Sequence, residues 1–136
     1  MKIIPYLFFN GQCKEALAFY ADVLGGKSVG EFTFGASPMA HTVPADWGDK
    51  IMHTAIQIGD QSINACDAPP PHYHQPQGFR VCLDLETEAD AERIYPLLSE
   101  GGKIEMPLQK TFWAKQFAMF DDRYGTKWMI NVPQPM

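Results

Sequence analysis

The sequence predicts an α+β fold made of two βαβββ modules. Three observations predict it. Strand-like runs and two amphipathic helical stripes follow one another in the order β-α-β-β-β, twice. Residues 6–20 and 81–95 superpose without a gap at an offset of 75, and both helices run into Gly-Gly-Lys, at 25–27 and 101–103. Finally, 136 residues with 46% hydrophobic and 20% charged side chains make one ordinary globular domain, large enough to fold without a metal or disulfide staple. The expected divisions are a first module over 1–68, a proline-rich connector over 69–77 and a second module over 78–136.

Each element has its own local reason. Ile3–Asn10 is short, apolar and rich in β-formers. Cys13–Leu24 places Ala16, Phe19, Tyr20, Val23 and Leu24 on one helical stripe, and Gly25-Gly26 ends it. Lys27–Phe34 alternates like a strand, and Gly35–Asp49 is a loop of Gly, Pro, Ser and Asp. Ile51–Ile58 and Gln61–Asp67 are strands joined by Gly59-Asp60, a tight hairpin. Ala68–Gln77 carries too many prolines for a helix or a central strand. Phe79–Leu85 then restarts the pattern. Glu88–Glu100 is the second helix, with Ala91, Ile94, Tyr95 and Leu98 on its stripe, acids near its N-terminus, and Pro96 expected to kink or tighten it. Lys103–Gln109, Trp113–Phe120 and Lys127–Val132 complete the second set of strands.

Charge and cysteine content exclude several function classes. Eleven Lys and Arg against sixteen Asp and Glu leave a net charge of −5 with no basic run, which disfavours nucleic acid and anionic membrane as partners. No apolar run reaches the length of a membrane span or a signal core, so a soluble, cytoplasmic protein is expected. Cys13, Cys66 and Cys82 are odd in number and have no CxxC spacing, which argues against a disulfide framework and a structural zinc site.

The motifs Tyr6-Leu7-Phe8-Phe9-Asn10-Gly11, Phe19-Tyr20, Leu24-Gly25-Gly26, Met52-His53, Ile58-Gly59-Asp60, Gly101-Gly102-Lys103, Thr111-Phe112-Trp113 and Asp122-Arg123-Tyr124-Gly125 carry a resemblance. The chain resembles the glyoxalase/dioxygenase group, the vicinal oxygen chelate superfamily, and within it the PhnB-like branch. The resemblance implies curved mixed sheets around a cavity, with a helix on the other face of each sheet. Strand parity then puts Tyr6, Phe8, Ile63, Ala65, Val81, Leu83, Trp128 and Ile130 on the helix side. Pro5, Leu7, Phe9, Asn64, Cys66, Arg80, Cys82, Met129 and Asn131 fall on the cavity side. The metal-dependent members hold a divalent ion at four strand positions, which correspond here to Pro5, Asn64, Arg80 and Met129. None is a His or a carboxylate, so no metal site and no Lewis-acid chemistry is expected.

Candidate site residues follow. His53 and Asp67 are expected on neighbouring strands; His53 is either a buried, hydrogen-bonded ring or a cavity acid/base with Asp67. Arg80 either presents its guanidinium to an anionic ligand where relatives carry a metal ligand, or reaches the strand edge and pairs with an acid. Leu7, Asn64, Arg80, Trp113 and Met129 are the expected ligand-binding residues. His72 and His74 in the connector and His41 in the loop read as surface residues. Two functions remain open: a metal-independent protein that binds a small molecule in an anion-accepting cavity without a cofactor, and an enzyme doing acid–base chemistry at His53 and Asp67. A label often attached to this branch, demethylubiquinone methyltransferase, finds no support, because Gly25-Gly26 follows a helix and precedes a strand, the reverse of a cofactor-binding glycine loop. A homodimer is expected.

Overall fold

The computed structural model describes residues 1–135 and forms two compact units, Met1–His74 and the chain from Gln75 onward. In the first unit, β1 (Tyr6–Phe9), α1 (Cys13–Leu24), β2 (Lys27–Thr33), β3 (Ile51–Ile58) and β4 (Gln61–Asp67) make a four-stranded sheet of order β1-β4-β3-β2. In the second, β5 (Val81–Asp84), α2 (Glu88–Ser99), β6 (Lys103–Gln109), β7 (Ala114–Asp121) and β8 (Lys127–Pro133) make a sheet of order β5-β8-β7-β6. In each sheet the first strand pairs in parallel with the last and the other contacts are antiparallel. The α+β fold of two βαβββ modules is therefore as the sequence predicts.

α1 buries Cys13, Ala16, Leu17, Tyr20 and Val23 and stops where Gly25 takes a left-handed φ of 75°. α2 starts at Thr87, whose hydroxyl accepts the Asp90 N–H at 3.1 Å, with Glu88 and Asp90 in the favourable first turn. Pro96 lies in its third turn and the helix continues past it to Ser99. Pro107 also has a visible consequence. It lies in β6, an edge strand, where the register shifts between Met106 and Gln109.

One part of the parity assignment is corrected. β1 pairs Tyr6 with Asn64, Leu7 with Ala65, Phe8 with Cys66 and Phe9 with Asp67. Leu7 and Phe9 are buried at 6% and 1% exposure, and the Phe9 ring lies against Tyr20 of α1 with centroids 6.3 Å apart. Leu7 and Phe9 thus face the helix, and Tyr6 and Phe8 face the open side. In the second unit Val81 and Leu83 pair with the buried Trp128 and Ile130, as expected. The helices match at an offset of 75, but the helix-facing pairs Leu7/Phe9 and Val81/Leu83 match at 74. Three residues separate strand from helix in both units, 10–12 and 85–87, so the equal spacing does not reveal that the two strands turn opposite sides to their helices.

Candidate functional site on the open sheet faces

The open face of the first sheet is aromatic with a polar centre. Tyr6 and Phe8 come from β1, Asn64 and Cys66 from β4, His53 from β3, and Phe32, paired with His53, from β2. Tyr6, Phe8 and Phe32 are 40%, 51% and 59% exposed. The Tyr6 hydroxyl lies 2.9 Å from His53 Nδ1, and the two rings are 5.7 Å apart. Partial burial pushes the Tyr6 phenol up to about 12, with the neighbouring Cys66 adding to the shift. Burial also raises the Cys66 thiol. Both groups are therefore neutral near pH 7. The tautomer protonated at Nε2 lets Nδ1 accept the phenol proton and offers Nε2–H as a donor to a ligand. Asn64 accepts from the Ser62 hydroxyl at 2.8 Å, which leaves its amide N–H groups as donors. His53 is thus half-buried and tied to a tyrosine, with Asp67 on the opposite face.

Asp67 is only 2% exposed and works as a structural tie. Its Oδ1 accepts the N–H groups of Gly11 and Cys13, each at 2.9 Å, and its Oδ2 accepts that of Ile51 at 2.9 Å. Gln12, the residue before α1, supplies no side-chain cap. The carboxylate at the end of β4 caps that helix instead, where the helix dipole favours a negative charge.

Arg80 is the second expected site residue whose surroundings differ from an anion site. Its side chain is 14% exposed. Nη1 donates to the Phe120 and Trp128 carbonyls and to Asp121 Oδ1 at 3.0, 3.2 and 3.2 Å, and Nη2 donates to Glu105 at 2.8 Å. Asp121 also holds Lys127 at 3.1 Å. Two cations and two carboxylates balance, so Arg80 spends its charge on a strand-edge network.

Trp113 and Met129 belong to the open face of the second sheet. Met129 stands between Cys82 and Met119, while Trp113 packs edge-on against Phe117 and Phe112, with centroids 5.3 and 4.8 Å away. On the same face Asn131 donates to Asp84 at 2.9 Å. The structure thus groups Tyr6, His53 and Asn64 on one sheet and Trp113 and Met129 on the other, and removes Leu7 to the helix side. Tyr6, Phe8 and Phe32 were missed as site residues. The strand–helix spacing is three residues in both units, so the sequence carries no signal for the first two. Among the described residues no three His, Cys, Asp or Glu side chains gather into a group able to hold a metal.

Two units, each with an α-helix on one face of a four-stranded sheet, β1-β4-β3-β2 and β5-β8-β7-β6, and an open second face, define the class of protein. The chain matches the family described as the Glyoxalase/Bleomycin resistance protein/Dioxygenase superfamily over residues 2–130, and it belongs to that superfamily. Among individual proteins, it is 34% identical over 140 residues to Protein YjdN of Escherichia coli strain K12, covering 97% of this chain and 95% of that one. The crystal structure of protein PA1353 from Pseudomonas aeruginosa is 43% identical with a TM-score of 0.89 and covers 99% of both chains. A Bacillus cereus PhnB protein, described as a putative 3-demethylubiquinone-9 3-methyltransferase, has a TM-score of 0.79 at 21% identity over 97% of this chain and 99% of its own, a likeness of fold. Among the described residues no helix is long and apolar enough to cross a membrane.

Proposed function

We propose that the chain is a metal-independent small-molecule-binding protein of the PhnB-like branch, taking a planar, largely apolar organic ligand on the open face of its first sheet. The observation that carries this reading is the set Tyr6, Phe8 and Phe32, half-exposed on one face around a single hydrogen-bonded polar pair. Exposed aromatic surface with a few convergent polar groups is the usual make-up of a ligand site. His53 and Asn64 supply the hydrogen bonds that orient the ligand. Trp113 and Met129, on the other sheet, take no part in this face. The strand positions of the superfamily's metal ligands, Pro5, Asn64, Arg80 and Met129, support metal independence by their chemistry: none is a His or a carboxylate, and a proline, a guanidinium and a thioether are poor donors for a hard or borderline divalent ion.

Arg80 is no anion acceptor in this reading, since its charge is matched by Glu105 and Asp121. Methyl transfer is not proposed either, because Gly25 ends a helix rather than opening one over a cofactor. A cytoplasmic homodimer remains our reading, and the three free thiols support a reducing compartment.

A saturable fluorescence titration with the aromatic probe 1-anilinonaphthalene-8-sulfonate tests the reading. Phe8→Ala and Phe32→Ala should each weaken binding at least fivefold, and excess EDTA should change nothing. Unchanged binding in both variants, or loss of binding with EDTA, would overturn it.

A second reading is favoured by one contact, the 2.9 Å bond between Tyr6 and His53. In it the pair moves a proton for a bound substrate, without Asp67, whose oxygens are occupied. His53→Ala would then abolish turnover of a substrate while retaining its binding.

A further inference from the structure

The second sheet carries a row of four sulfur side chains. The registers pair Met106 with Met119, Met119 with Met129, and Met129 with Cys82, so the row crosses β6, β7, β8 and β5 without a break. Paired residues share a face. The neighbouring row Ile104–Phe120–Trp128–Val81 includes the fully buried Phe120 and Trp128 against the helix, which puts the sulfurs on the open face. The register shift between Ile104 and Met106 brings Met106 into the row. Cys82 is exposed and the three methionines are partly exposed, so the row is accessible to an ion.

We propose that Cys82, Met129 and Met119, with Met106 at the end of the row, form a binding site for a soft monovalent metal ion of the Cu(I) or Ag(I) type. Neighbouring side chains across a sheet start about 5 Å apart at Cβ, a gap that two metal–sulfur bonds of about 2.3 Å span. Thiolate and thioether donors together select soft ions over Zn(II) or Mn(II), which thioethers bind poorly. Asp84 lies two residues beyond Cys82 on the same face and adds a negative charge, held in place by Asn131 at 2.9 Å. Burial and the Asp84 charge raise the Cys82 thiol, so it enters the site protonated. Binding forms a metal–sulfur bond and releases the thiol proton to solvent, with no change in oxidation state. The sulfur row belongs to the second sheet and the proposed organic-ligand face to the first.

The test uses the full chain and Ag(I), a redox-inert probe. Native mass spectrometry and calorimetric titration should show one tightly held Ag(I) per chain at Cys82, and no Zn(II). The double variant Met119→Leu/Met129→Leu, close to isosteric and checked for folding by circular dichroism, should weaken Ag(I) binding at least tenfold with Cys82 still present. Cys82→Ser should abolish it, and probe binding to the first sheet should persist in both. Unchanged affinity in the Met double variant would reduce the site to an ordinary exposed thiol and overturn the proposal. So would retention of the ion in Cys82→Ser.

Discussion

Replacing Asp67 should unfold the first unit more readily without acting through any chemistry at His53. The carboxylate satisfies three backbone N–H groups, from Gly11, Cys13 and Ile51, each at 2.9 Å. Leaving a buried donor unpaired costs about 1–3 kcal/mol, and bonds to a charged acceptor are at the upper end. Cys13 and Ile51 are buried and Gly11 is partly exposed, so Asp67→Ala should cost about 4 kcal/mol, counting the loss of a charge at the N-terminus of α1. Against the total of about 5–15 kcal/mol that single domains possess, that is a large fraction. Asp67→Asn can keep one oxygen on Gly11 and Cys13 but turns an NH₂ toward the Ile51 N–H, which should cost about 2 kcal/mol. Urea unfolding of the full chain, followed by far-ultraviolet circular dichroism, reads both losses as a shift in midpoint at constant slope. A loss below about 0.5 kcal/mol for Asp67→Ala would refute the assignment of Asp67 as a structural tie and return it to the candidate acids.

Three further outcomes are expected. Arg80→Met should destabilise the second unit by about 2 kcal/mol through lost hydrogen bonds to the Phe120 and Trp128 carbonyls, while inorganic phosphate protects neither form against urea; phosphate stabilising only the parent would contradict the charge balance. Gly102→Ala should cost at least about 2 kcal/mol, since the new Cβ would run into the Asp121 carbonyl, and a thermal melt that does not move would rule out this packing. The Tyr6 phenol is raised from 10.0 to about 12, so the folded state holds its proton where the unfolded chain has lost it. The Tyr6 contribution is complete below pH 10 and falls away as the pH rises toward 12, and Tyr6→Phe should lessen the decline in that window. Equal slopes of stability against pH for parent and variant would be the contrary result.

The elements themselves were legible because their causes are local. β3 and β4 run over Ile51–Ile58 and Gln61–Asp67, the limits read from the alternation and the Gly59-Asp60 turn. The duplicated order of elements and the motifs it contains were enough for the fold and the superfamily. The candidate site was legible only in part. His53 and Asn64 do share the open face with Tyr6, and Trp113 and Met129 share the other, but Leu7 does not line an open face and Asp67 and Arg80 are committed to neighbours.

Periodicity and turn residues act within a few positions of the chain, so the sequence by itself determined two βαβββ modules and the helix stripes that bury Tyr20 and Leu98. Only the tertiary structure decided which way β1 faces, because a strand's alternation fits either side equally and the choice is made by what distant β4 and α1 bury. Only it decided the partners of Asp67 and Arg80, since a buried carboxylate or guanidinium is claimed by whatever donors and acceptors distant segments bring within about 3 Å. The sulfur row belongs to the same class. Met106, Met119, Met129 and Cys82 are scattered along the chain, and register alone sets them side by side.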